Sequence, residues 1–145
     1  MGAVVRYRVL VVDDERALAD ICVLNLLSWG YEAQAAYGGA DALLMARRFA
    51  PHLIITDVNM PDLDGIELMT QSRSLPEPPE VLLVSGDANN SSRVETEQQK
   101  GYRVRLLMKP FPASEMRAEV LAALECLQLE THRVPRYLNV SCESD

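Results

Sequence analysis

The stretch Leu53-Ile54-Ile55-Thr56-Asp57 decides the fold. A short apolar and β-branched run closing on a carboxylate reads as a strand buried on both faces, the habit of strands in parallel sheets. The pattern recurs along the chain. Val9-Leu10-Val11-Val12 runs into Asp13-Asp14, Val81-Leu82-Leu83-Val84 into Ser85-Gly86, and Leu106-Leu107-Met108 into Lys109-Pro110. In open α/β sheets, ligands bind at the carboxyl ends of the strands. Four such strands deliver three carboxylates, a hydroxyl and an ammonium to one edge. Acids with a single lysine point to a divalent cation and a phosphoryl group rather than an apolar ligand.

Outward from that edge, strands and helices alternate. Strands are expected over 8–12, 32–36, 53–56, 81–85 and 104–108, and helices over 17–29, 39–49, 65–73, 91–100 and from Pro112 to about Glu130. Gly30 stops the first helix, and Pro51 and the run Pro76-Glu77-Pro78-Pro79 follow the second and third. Glu32-Ala33-Gln34-Ala35 reads as an edge strand or a piece of helix. In the last helix Met116, Val120, Ala123, Leu124 and Leu127 share one face. The segment 91–100 has one clear apolar anchor, Val94, and is expected to be loosely held, because helices take most of their stability from packing. Five βα units with right-handed crossovers predict a doubly wound, flavodoxin-like five-stranded parallel sheet in a three-layer α/β/α sandwich. The domain is expected over 1–130, with 131–145 as a C-terminal tail.

Composition narrows the function. The chain has 145 residues, 48% of them hydrophobic, and a formal net charge of −7 with no basic cluster. Direct nucleic-acid binding needs a basic patch and is not expected. No apolar run is long enough to cross a bilayer, and no leader is recognised, so no membrane partner is expected. Cys22, Cys126 and Cys142 are odd in number with no CxxC spacing. Cys22 and Cys126 read as small buried hydrophobes, and a reduced, cytoplasmic compartment is expected.

Val11-Val12-Asp13-Asp14-Glu15, Asp57 followed by Met60-Pro61 and Asp64-Gly65, Ser85-Gly86 and Lys109-Pro110-Phe111 resemble, in order, the receiver domain of two-component response regulators, chemotaxis regulators among them. The resemblance covers roughly residues 8–130. It implies a Mg²⁺-dependent phosphoacceptor with Asp57 as nucleophile and site of phosphorylation. The donor would be a sensor histidine kinase or a histidine phosphotransfer protein, and the signal would leave by a conformational change toward a downstream protein target. By the same resemblance Asp14, Asp57 and the main-chain carbonyl of Asn59 bind the metal directly, and Asp13 largely through water. Lys109 and Ser85 contact the phosphoryl oxygens, Gly86 leaves room for them, and the Lys109–Pro110 peptide is cis. Such a protein catalyses its own phosphorylation and dephosphorylation rather than turning over a substrate. It is either a stand-alone receiver or part of a longer regulator.

Two departures stand out. Leu106 occupies the switch position, three before the lysine, where the family often has an aromatic residue, and Gly101 lies one residue farther from Lys109 than expected. With the aromatic switch gone, Ser85 is expected to transmit the signal by pulling the loop 86–90 and the helix behind it. Two other readings are set beside this one. Asp62-Leu63-Asp64-Gly65 resembles the DxDG motif of haloacid-dehalogenase phosphatases, although Asn59-Met60-Pro61 separates Asp62 from the strand end. A binding module of the same fold that works without phosphorylation is the other.

Overall fold

The structure, a computed structural model, describes residues 6–132, and side chains as far as Glu125. The order of elements is β1 (Arg8–Val12), α1 (Arg16–Ser28), β2 (Glu32–Ala36), α2 (Gly39–Phe49), β3 (Leu53–Asp57), α3 (Gly65–Ser72), β4 (Glu80–Ser85), α4 (Asn90–Gln99), β5 (Arg105–Met108) and α5 (Ala113–His132). One parallel sheet carries the strands in the order β2-β1-β3-β4-β5. This is the flavodoxin-like doubly wound fold that the alternation predicts. Element ends differ from the expected ones by one or two residues. The tail expected over 131–145 begins inside α5, and its remainder, 133–145, lies outside the described residues, as does the side chain of Leu127.

Side chains alternate across the sheet and build two cores. Leu10, Val12, Ile54, Val81 and Leu83 face α2, α3 and α4, against Ala42, Ala46, Leu68, Met69 and Val94. Val9, Val11, Leu53, Ile55, Leu82 and Val84 face α1 and α5, against Ala19, Leu26, Met116, Val120 and Leu124. Leu10, Leu53, Ile54, Leu82 and Leu83 have no exposed surface. Each such burial contributes roughly 1.5–3 kcal/mol, so the three central strands are the most firmly held part of the chain. β2, the edge strand, pairs only with β1 and alternates exposed and half-buried residues. That exposure explains why its sequence lacks the apolar run of the others.

Val94 is the one buried apolar residue of α4, as expected, and buried polar residues hold the helix beside it. Asn90, Val94 and Glu97 are all buried. Glu97 pairs with Arg73 at 3.1 Å and with Lys100 at 3.0 Å, and Gln98 donates to the carbonyl of Val104 at 3.0 Å. The Arg73 guanidinium also lies 3.4 Å from the centre of the Tyr102 ring. Polar contacts hold this helix, and apolar periodicity cannot register them. The extra residue before β5 is absorbed in the turn. Gly101, with φ +94, follows the end of α4, and β5 keeps the register Ser85↔Met108.

At the amino end of β1, the Arg8 N–H donates to His52 Nδ1 at 3.0 Å, and the Tyr7 ring meets the imidazole edge-on at 5.2 Å. Burial, then the Arg8 charge, holds the His52 pKa below its ordinary value. The neutral imidazole is the acceptor, so protonation breaks this contact. The unfolded chain binds the proton from about pH 6.5 downward, before the folded state does. Stability is therefore at its full value above that pH and falls as pH drops from 6.5 through the folded pKa. Urea unfolding between pH 7 and 5 should show this loss, and His52→Gln, which retains an acceptor, should flatten it.

Candidate functional site

The site is assembled by four strand ends and the loops that leave them. After β1, the main-chain N–H of Asp13 donates to Ala36 at 3.2 Å, and its Oδ1 accepts the N–H of Glu15 at 2.9 Å. This tight turn fixes Asp13, 7% exposed, while Asp14 stays exposed beside it. After β3, the half-buried Asp57 is followed by Val58, whose N–H reaches the carbonyl of Val84 at 2.9 Å. The Gly65 N–H then returns to the carbonyl of Val58 at 2.8 Å. A Cβ on Gly65 would run into the main-chain oxygen of Asp57. Glycine is therefore required for the chain to pass this close behind the carboxylate.

Asp13, Asp14 and Asp57 each offer a carboxylate oxygen, and these lie within 4.8 Å of one another. Opposite corners of a Mg²⁺ octahedron are about 4.2 Å apart. Three carboxylate oxygens this close together are the hard donors that Mg²⁺ takes, so the donor set fits the ion. Lys109, delivered by β5, sets its Nζ 3.7 Å from both Asp13 Oδ2 and Asp57 Oδ2. Burial pushes the Asp57 pKa up and Lys109 pulls it back down; Asp13 and Asp14 raise it again, against a hydrogen bond from the Asn59 N–H. The Lys109–Pro110 peptide is cis. A methyl group on Gly86 would meet Lys109 Cβ at 3.9 Å, an ordinary contact, so no protein atom demands glycine there. Leu106 packs partly buried against the core on the α4 side, away from these acids.

Ser85 ends β4 fully buried. Its hydroxyl donates to the carbonyl of Asp87 at 3.1 Å and accepts the Asp87 N–H at 3.0 Å and the Asn90 amide at 2.8 Å. The same Asn90 amide donates to Asn59 Oδ1 at 3.3 Å. Asn90 is the residue the sequence reading missed. Its signal was faint: a polar residue, buried in the first turn of a helix whose apolar pattern is weak.

The acids of the 62–65 stretch are helix caps. Asp62 accepts the Ala40 N–H at 3.3 Å at the start of α2, and the N–H groups of Leu63 and Ala40 lower its pKa. Asp64 caps α3 in a reciprocal box with Glu67 and accepts from Arg93 at 2.8 Å. Neither stands at a strand end, so the motif does not build a second nucleophile, and the phosphatase reading is not favoured.

A cleft of about 370 Å³ opens between α1 and α5 beside Asp57 and Lys109, lined by Leu18, Ile21, Phe111 and Met116 among others. Cys22 sits in its wall with Sγ 3.3 Å from Met116 Sδ, and burial, then Asp13, pushes its thiol up to about 12. It is inert at neutral pH.

Fold and site together define a doubly wound α/β protein with a cluster of three carboxylates and a lysine at its sheet edge. Comparison with known proteins agrees. Residues 9–121 match the family of the response regulator receiver domain, and the chain belongs to that family. It is similar to the response regulator receiver protein of Pseudomonas putida, at 28% identity and TM-score 0.69, over 81% of this chain and 98% of that one. The chemotaxis response regulator CheY4 of Vibrio cholerae is 25% identical, with TM-score 0.71, over 82% and 99% of the two chains. The adenylate cyclase of Rhodopirellula baltica is 25% identical, with TM-score 0.79, over 94% and 100%. Members of this family are phosphorylated by histidine kinases or phosphotransfer proteins.

Without a cation the ionised Asp57 is a net cost to the fold at neutral pH, because its raised pKa marks a carboxylate more at ease in the unfolded chain. Asp57→Asn should therefore melt higher than the natural protein in EDTA at pH 7, and Mg²⁺ should narrow or reverse the difference. Differential scanning calorimetry measures both. Trp29 ends α1 under Arg117, whose guanidinium lies 5.4 Å from its ring, about 18 Å along the helix from the acids. Mg²⁺ should leave its fluorescence nearly unchanged, and strong quenching would place the cation elsewhere.

Proposed function

We propose that this receiver accepts a phosphoryl group on Asp57 from the phosphohistidine of a sensor histidine kinase or a histidine phosphotransfer protein, with Mg²⁺. The observation that carries the reading is the Lys109 ammonium at 3.7 Å from both Asp57 and Asp13, beside a set of three carboxylates. In the transfer an ionised Oδ of Asp57 attacks phosphorus. The O–P bond forms as the P–N bond of the donor breaks; its electron pair leaves with the imidazole, which takes a proton from solvent. Lys109 keeps Asp57 ionised despite burial and then faces the transferred oxygens. Asp13, Asp14, Asp57 and the Asn59 carbonyl would hold Mg²⁺, which supplies charge compensation between the carboxylates and the incoming group. The Ser85 hydroxyl is the group that reports the new phosphate to α4.

The exposed side chains of Leu18, Ile21 and Leu24 on α1, beside the apolar cleft, support a protein donor. No helix among the described residues is long and apolar enough to cross a membrane. We assign the chain to the cytoplasm on its free thiol at Cys22 and the absence of CxxC spacing. Its output is a protein target rather than nucleic acid, given the net charge of −7.

Incubation with Mg²⁺ and acetyl phosphate, followed by intact mass measurement, tests this. One phosphoryl group per chain is expected, lost in EDTA and in Asp57→Asn. Lys109→Ala should slow labelling by about 100-fold or more, the usual cost of removing a donor that stabilises developing charge. Labelling undiminished in EDTA overturns the reading. Rapid turnover of a small phosphate ester would restore the phosphatase, and a biological role intact in Asp57→Asn would leave the phosphorylation-independent module.

A further inference from the structure

The Ser85 hydroxyl has one proton and two acceptor positions, and all three are occupied within its own loop. The proton goes to the Asp87 carbonyl, and the Asp87 N–H and the Asn90 amide fill the acceptor positions. A phosphoryl oxygen accepts hydrogen bonds and donates none, so Ser85 can serve it only by withdrawing its proton from Asp87. That rotation turns the lone pair facing Asn90 away. Asn90 is itself committed: its two amide protons go to Ser85 Oγ at 2.8 Å and Asn59 Oδ1 at 3.3 Å, and the residue is 5% exposed. It therefore ties the loop after β3 to the end of β4, from the first residue of α4.

We infer that Asn90 is a positioning residue, a latch that holds Ser85 and the Asn59 loop in the unphosphorylated arrangement and must release when Asp57 carries its phosphoryl group. This inference rests on the phosphoacceptor reading and deepens it by naming what resists activation. The release also gives α4 a direct mechanical link to the site. When the amide loses Ser85, a buried polar group at the helix start loses its partner, and burial without a partner is costly. The first turn of α4 must shift to satisfy it. No aromatic residue at position 106 is needed for this coupling, and Leu106 is a core residue here.

Beryllium fluoride with Mg²⁺, a mimic of the aspartyl phosphate, probes the latch. Removing a hydrogen bond made only in the resting state should tighten binding of the mimic by about three- to tenfold in Asn90→Ala. The gain should vanish when Asn90→Ala is made on a Ser85→Ala background, because the latch acts through that hydroxyl. A merely structural role for Asn90 would carry over to that background unchanged. Asn90→Leu keeps the side-chain shape and removes both amide protons without adding charge; it must shift affinity in the same direction, which covers the case where the alanine variant folds poorly. Equal or weaker binding in Asn90→Ala, or the same gain without Ser85, overturns the inference. Hydrogen exchange on the unmodified protein separates this result from failure of the phosphoacceptor reading. Asn90→Ala should speed exchange at residues 87–92 while β1 stays protected. If the natural protein takes up neither acetyl phosphate nor the mimic, that reading falls. Unchanged exchange in the variant then removes the latch as well.

Discussion

Lys109 stands between two carboxylates that would otherwise repel each other across a half-buried sheet edge. Its ammonium is one positive charge against three acids brought within 4.8 Å. At contact distance two like charges in a partly desolvated site cost several kcal/mol at an effective dielectric near 20, about 4 kcal/mol at 4 Å. One lysine offsets part of that repulsion and leaves the rest for a cation. The fold tolerates the arrangement because the apolar strands behind it are fully buried and do not yield. The unmet repulsion therefore favours uptake of a positive ion at the open side of the edge.

The surrounding loops are held by small, local devices rather than by packing. Gly65 lets the chain pass behind the Asp57 carbonyl, and Asp62 and Asp64 tie that same loop to the starts of α2 and α3. Each cap satisfies N–H groups that a helix start leaves open, at roughly 0.5–2 kcal/mol apiece. The acids of this stretch thus have a structural task, and their resemblance to a catalytic motif is a coincidence of residue type. Position relative to a strand end separates the two roles: Asp57 closes β3, whereas Asp62 begins five residues later.

On the other flank the loop between β4 and α4 is saturated with hydrogen bonds around a single hydroxyl. A saturated hydroxyl cannot gain a partner without losing one, so any new acceptor at Ser85 must displace a bond already made in this loop. The helix it feeds is pinned at its far end by Glu97, Arg73 and Tyr102. Movement at the Asn90 end is therefore felt as a change of tilt or register in α4, not as its detachment.

Much of this was legible in the sequence. Unbroken apolar runs closing on Asp13, Asp57, Ser85 and Lys109 determined the parallel sheet and the side of it that carries the chemistry, because a strand covered on both faces admits polar groups only at its end. The tertiary structure decided what those runs could not encode. Whether Glu32–Ala36 was strand or helix depended on its pairing with β1, since an edge strand carries little apolar signal of its own. The holding of α4 depended on residues far apart in the chain, Arg73 with Glu97 and Ser85 and Asn59 with Asn90. Hydrophobic periodicity records burial of carbon within one element. A buried hydrogen bond between two elements leaves no period behind it, and only the folded chain brings its donor to its acceptor.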